Sequence, residues 1–151
     1  MKKALSIYKI VTLFIISILS TVQGHSQTEV FCEEIKMYCP EAKLMEVIIK
    51  DEQSYKAFQD SSCFGYGSPV IDFEKYFLVG YKGATIGCKR PDYTYKAFQT
   101  GNDYTVKVEI VQYGNCKMLH IIRFWLLVPR IGSDIQVEFE LNKTIINREN
   151  Y

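Results

Sequence analysis

KMLHIIRFWLLV, residues Lys117–Val128, is closed by Pro129 and is apolar on both of its alternating faces. Met118, Ile122, Phe124 and Leu126 fall on one side; Leu119, Ile121, Trp125 and Leu127 fall on the other. Periodicity alone leaves helix and strand open for such a run. Its β-branched and aromatic content, with Gly114 before it and Pro129 after it, favours a strand buried on both faces. A strand of that kind requires neighbours on both edges and cover on both sides. The rest of the chain is therefore expected to wrap around it as a β-rich domain.

The flanking segments fit that expectation. Tyr104–Tyr113 alternates, with Tyr104, Val106, Val108 and Ile110 inward and Thr105, Lys107 and Glu109 outward. Ile135–Asn142 alternates again, with Ile135, Val137, Phe139 and Leu141 inward. Tyr93–Gln99 reads as a strand ended by the hairpin turn Thr100-Gly101-Asn102-Asp103. Leu44–Ile49 and Tyr76–Tyr81 read as further strands, with a turn at Lys82-Gly83 before extended chain resumes at Ile86-Gly87-Cys88. Asp51–Gln59 is expected to be a short helix. Asp51 caps it, Glu52 favours its positive N-terminus, and Tyr55 and Phe58 share a face. The pentapeptide YKAFQ occurs at Tyr55–Gln59 and at Tyr95–Gln99, one copy assigned to a helix and one to a strand; the flanks do not align, so this is coincidence and not a repeat. The fold class is thus β-rich, mainly an antiparallel sheet or a small sandwich or barrel, with one short helix near residues 51–59; by strict count it is α+β.

At 151 residues the chain has room for one domain with a substantial core. Residues 1–24 read as a signal peptide. Lys2, Lys3 and Lys9 form a positive n-region, Ile10–Val22 is an apolar h-region too short to span a bilayer comfortably, and cleavage is expected after Gly24, with Ser26 as the second choice. An uncleaved anchor is the alternative. The first cysteine after the leader is Cys32, too distant for a lipid-anchored lipoprotein. Residues 25–43 form an N-terminal arm with Cys32 and Cys39, residues 44–142 the β-rich domain, and residues 143–151 a flexible tail. The leader holds three of the 18 basic side chains and none of the 17 acidic ones, so the remainder is net −2. That charge, with Lys and Glu interspersed, leaves no footprint for nucleic acid. The mature chain is expected to have no transmembrane span. The Lys-rich leader and the Ile-, Tyr- and Lys-heavy composition look bacterial, placing the protein in the periplasm, associated with the envelope, or secreted.

Export makes disulfides the default fate of Cys32, Cys39, Cys63, Cys88 and Cys116. Zinc is disfavoured, because no CxxC spacing exists and the histidines are only His25 and His120. Five cysteines allow two bridges and a leftover thiol. Cys88 with Cys116 is the preferred pair, each lying near a glycine at a strand end. Cys32 with Cys63 is the second, leaving Cys39 unpaired. Closing a loop of such size is worth about 3 kcal/mol.

Catalytic chemistry is not legible. His120 lies among apolar residues, where a histidine satisfied by backbone outweighs a general base. Arg123 in the apolar run needs an acidic partner or a route to solvent, with a structural ion pair favoured over a substrate clamp, and Asp72 is expected as an acceptor of backbone N–H groups. No cysteine has papain-like surroundings, and the glycines of Asp60–Pro69 form no phosphate loop. Asn142-Lys143-Thr144 matches a glycosylation sequon that carries little weight in a bacterial chain. No catalytic residue, metal or cofactor is expected. Phe64 and Tyr66 on the turn-rich loop are the candidate partner contacts, since aromatic side chains carry interface energy well, with packing over the nearby disulfide as the alternative.

Four features, over about residues 47–141, resemble the C-terminal domain of the PrcB-like proteins, named after an accessory subunit of a spirochaete protease complex. A Glu-x-x-Tyr-x-x-Phe helix follows the first strand (Glu52, Tyr55, Phe58). An Asp-Phe pair precedes an apolar strand (Asp72, Phe73, Tyr76–Val79). A Gly-containing segment follows it (Gly83, Gly87), and alternating strands end in a Pro-led final strand (Pro129, Ile135–Leu141). The family's Gly-Gly-Tyr-like motif is here Ile86-Gly87-Cys88, a departure that installs a cysteine. The resemblance implies an exported β-rich module without a catalytic constellation, and a protease as protein partner. Three functions follow as expectations: a non-enzymatic protein-binding or protease-complex accessory module; a protease inhibitor presenting Cys63–Pro69 or Lys89–Asp92; or an envelope carrier of a small molecule or lipid.

Overall fold

Residues whose side chains alternate between water and a core must pair as strands and stack face to face, and the chain does so twice. The computed structural model describes residues 26–63 and 68–146. The expected leader, Phe64 and Tyr66 lie outside the described residues. Eight strands and one helix follow in order: β1 (Thr28–Val30), β2 (Glu33–Glu34), β3 (Met45–Ile49), α1 (Glu52–Ser62), β4 (Tyr76–Gly87), β5 (Asp92–Thr100), β6 (Asp103–Tyr113), β7 (Met118–Pro129) and β8 (Gln136–Ile146). They form two four-stranded sheets, β1-β5-β6-β8 and β2-β7-β4-β3. All pairings are antiparallel except β6 with β8, which run parallel. Among the described residues the fold is a β-rich sandwich with one short helix, not a closed barrel.

Between the sheets lie the alternating residues of β4, β6 and β7. Phe77, Val79 and Tyr81 of β4 and Ile122, Phe124, Leu126 and Val128 of β7 meet Val106, Val108 and Ile110 of β6. Phe124 stacks on Tyr81 and lies 4.8 Å from Tyr95 of β5, ring centre to ring centre. One end of this core is pinned by Tyr104, whose hydroxyl donates to the Pro129 carbonyl (2.9 Å) and accepts from the Ile131 N–H (3.2 Å). The other end is pinned by Thr85, whose hydroxyl donates to the buried Gln112 amide oxygen at 2.8 Å. Both pins satisfy polar groups that burial would otherwise penalise.

A second, smaller core sits on the outer face of the β2-β7-β4-β3 sheet. Tyr55 of α1 and Met37, Cys39 and Ala42 of the arm cover Val47, Ile49, Leu78 and Trp125. The helix starts where its cap dictates: the Asp51 carboxylate accepts from the Ser54 N–H at 2.8 Å. That bond holds the Asp51 carboxyl below its ordinary range. At the far end the helix runs to Ser62, three residues beyond the expected Gln59.

Several expectations are corrected. The turn expected at Lys82-Gly83 is absent, because β4 pairs with β7 without interruption from Tyr76 to Gly87. Its glycines serve neighbouring rings instead. A Cβ on Gly80 would lie 2.0 Å from the Trp125 ring, and one on Gly83 2.2 Å from the Tyr81 hydroxyl. The N-terminal arm adds a strand to each sheet, β1 to one and β2 to the other. The tail expected from residue 143 is structured as far as Ile146, since β8 keeps pairing with β6 to that point. Leu141, expected inward, is 48% exposed near the rim of the sandwich.

Cys88 is bonded to Cys116, but Cys63 is bonded to Cys39 and not to Cys32. The arm turns Cys39 into the small outer core against the end of α1, whereas Cys32 borders the inner core between β1 and β2. Burial pushes the free Cys32 thiol up to about 11.

Two measurements check these assignments. Non-reducing peptide mapping should recover Cys39–Cys63 and Cys88–Cys116, with Cys32 alkylating slowly at pH 8 in the native protein and rapidly after unfolding. Retained thiol protonation is the cause, because a raised pKa leaves little thiolate at pH 8. Tyr104→Phe removes two hydrogen bonds at one end of the core and should cost about 1–3 kcal/mol in urea unfolding.

Candidate functional site

β7 meets only part of the requirement its sequence sets. On one edge β4 pairs with all of it; on the other, β2 reaches only Leu126 and Leu127. Its inner face is covered along the core. Its outer face is covered only toward the C-terminal end, where Trp125 is 2% exposed and packs on Phe58 of α1 at 5.4 Å. Toward the N-terminal end Leu119 and Ile121 are 64% and 48% exposed, so the strand is not buried on two faces as expected.

The register defines what surrounds them. Leu119 lies opposite Ile86, Ile121 opposite Ala84, and Arg123 opposite Lys82, all on the outer face of the sheet. Met45 of β3 continues the Lys82 row. Ile86 is 45% exposed, so three aliphatic side chains form a contiguous uncovered patch. Such residues, scattered singly, mean little; grouped on one face of a regular sheet they form a candidate contact surface.

Cations rim the patch. Lys82, Arg90 and Arg123, with Pro40 and Ile121, line a shallow surface groove. Lys82 Nζ donates to the Pro40 and Ala42 carbonyls, which anchors the arm without neutralising the charge. The Arg123 guanidinium lies 5.9 Å from the centre of the exposed Tyr38 ring. The ion pairs among the described residues are Lys75–Asp72, Lys96–Glu29 and Lys107–Glu140, so none involves these three cations. The ion pair expected for Arg123 is therefore not formed. The residues on the outer face of β4 and β7 in this half contain no carboxylate.

Other sequence candidates fall elsewhere. His120 Nε2 lies 3.4 Å from the Gly87 carbonyl, a backbone contact. Asp72 is held below its ordinary range first by Lys75 and also by the Glu74 N–H, which it accepts at 3.1 Å. Lys89 of the proposed inhibitory loop lies over the Tyr113 ring, 3.6 Å from its centre, and Pro91 is buried. That loop is fastened down. The space between the sheets is occupied by the packed side chains of the inner core, leaving the described grooves at the surface. Among the described residues no cluster of His, Cys, Asp or Glu could hold a metal ion, and no helix is long and apolar enough to cross a membrane.

The cationic patch was missed in the sequence because it depends on where cover stops, which only the register and the length of α1 reveal. One signal existed: Arg123 in an apolar run, opposite no predicted acid.

No family model matches this chain, and neither a curated protein nor a solved structure matches it. The PrcB-like resemblance accordingly rests on the residues quoted for it.

The two halves of the outer face should separate in a stability assay. Leu119→Thr and Ile121→Thr keep β-propensity at exposed positions and should each change the unfolding free energy by less than about 0.5 kcal/mol. Trp125→Ala, in the covered half, should cost about 3–5 kcal/mol.

Proposed function

We propose that this chain is an exported, non-enzymatic β-sandwich that binds another protein through the uncovered half-face of its second sheet. One observation carries the reading: Ile86, Leu119 and Ile121 stand exposed side by side on a sheet whose other half is largely covered. Two disulfides support export, because such bonds persist in oxidising compartments. The apolar, signal-peptide-like composition of residues 1–24 supports it further. A protease is the partner that the PrcB-like resemblance suggests, and the chain would then be its accessory. The contact surface is moved from the Phe64–Tyr66 loop to the sheet, since a flat strand pair presents its side chains in fixed positions and loses little conformational entropy on docking.

The test is a cross-linked pull-down of the tagged chain from its native host, read by mass spectrometry. A partner captured by the wild type should be lost from the Leu119→Thr/Ile121→Thr double variant and kept by Phe64→Ala and Tyr66→Ala. Loss with the loop variants alone would return the contact to the loop. If the partner is a protease, its activity with and without this chain separates an accessory from an inhibitor.

A further inference from the structure

We infer that the partner segment received by this face is acidic as well as apolar: a stretch of protein that places carboxylates around aliphatic side chains. The inference rests on the protein-binding reading above and names the chemistry of the partner. The patch has an aliphatic centre, Ile86, Leu119 and Ile121, and a rim of Lys82, Arg90 and Arg123. That rim has no carboxylate within ion-pair distance among the described residues. The chain after its leader is net negative, so this gathering of cations on one apolar face departs from the average surface. Opposite charges around an apolar centre speed encounter and fix the orientation of a partner, and like charges reject it.

The same charges argue against a second copy as occupant. A two-fold interface brings the same patch onto itself, which would set Arg90 and Arg123 of one copy near those of the other without any acid between them.

The probes are a fluorescein-labelled peptide of Glu-Leu-Ser repeats, its Lys-Leu-Ser counterpart, and vesicles of phosphatidylglycerol. Anisotropy should show binding of the acidic peptide, weakening with added salt, and none of the basic peptide. Arg90→Glu/Arg123→Glu should weaken the acidic peptide about tenfold, the effect of losing two exposed charge contacts and adding repulsion. Lys82 is left intact because it holds the Pro40 and Ala42 carbonyls. An unchanged urea midpoint and Trp125 emission establish that the double variant is folded. Equal binding of both peptides, no effect of the charge reversal, or binding to the vesicles but not to the peptide overturns the inference.

A photo-crosslinker at Ile121 in the native host separates this failure from failure of the protein-binding reading. Crosslinks to a protein through a segment without excess Asp and Glu overturn the acidic inference and keep the reading. No protein crosslink at that position overturns the reading itself.

Discussion

The constraint on which this structure turns is a mismatch of lengths. β4 and β7 are 12 residues each and pair over their entire length, so their common outer face runs about 40 Å. Helix α1, the main element laid on that face, has 11 residues and is about 16 Å long. β3, which extends the sheet beside β4, has five residues and reaches only from Leu78 to Lys82. No placement of so short a helix covers so long a face. The sheet therefore divides into a half that buries Trp125, Leu78 and Val47 and a half that leaves Leu119, Ile121 and Ile86 in water.

Holding the short cover in place falls to cations that bind backbone instead of carboxylates. Arg130 donates to the carbonyls of Lys50, Phe73, Gly132 and Ser133, drawing together the end of β3, the loop before β4 and the turn after β7. Lys50 reaches the Ile135 carbonyl, and Lys82 reaches two carbonyls of the arm. The Cys39–Cys63 bond ties the arm to the end of α1, closing a separation of 24 residues over the small core. A small core with few apolar contacts gains most from such a tie, because its own burial contributes little. The inner core has no comparable need. Its aromatic pairs, Phe77 with Tyr104 and Phe124 with Tyr81 and Tyr95, fill the space between sheets directly.

How much of this was legible follows from the range of each signal. YKAFQ shows the limit well. As Tyr55–Gln59 it is helical, with Tyr55 and Phe58 turned to the small core; as Tyr95–Gln99 it is extended, with Ala97 inward and Phe98 outward beneath Lys107. The pentapeptide has no fold of its own. The flanks decided it: Asp51 caps one copy, and Gly101, at φ 63°, turns the other into a hairpin. Those flanks were readable. Gly80 and Gly83 were not, since a glycine that makes room for a ring looks the same in sequence as one that makes a turn. Cys39 and Cys32 differ by the layer each enters, which no spacing records. Phe124, Ile122 and Leu126 were read correctly because alternation is local; the exposure of Leu119 and Ile121 was misread because cover is not.

An exposed aliphatic patch on a regular sheet carries a hazard as well as a use. Neighbouring chains can stack such faces, and flat apolar strands are where β-proteins aggregate. The unpaired cations answer both sides of this. Lys82, Arg90 and Arg123 stand around the aliphatic centre as charged gatekeepers do beside apolar strands, raising the cost of stacking like on like. Pairing them internally with carboxylates would remove that repulsion and leave the patch free to self-associate. Leaving them unpaired keeps the repulsion in the free protein and, on the proposed reading, would let a partner's acidic groups cancel it on binding. On the proposed reading, the charge arrangement that protects the uncovered half of β7 is thus the same one that would select what covers it.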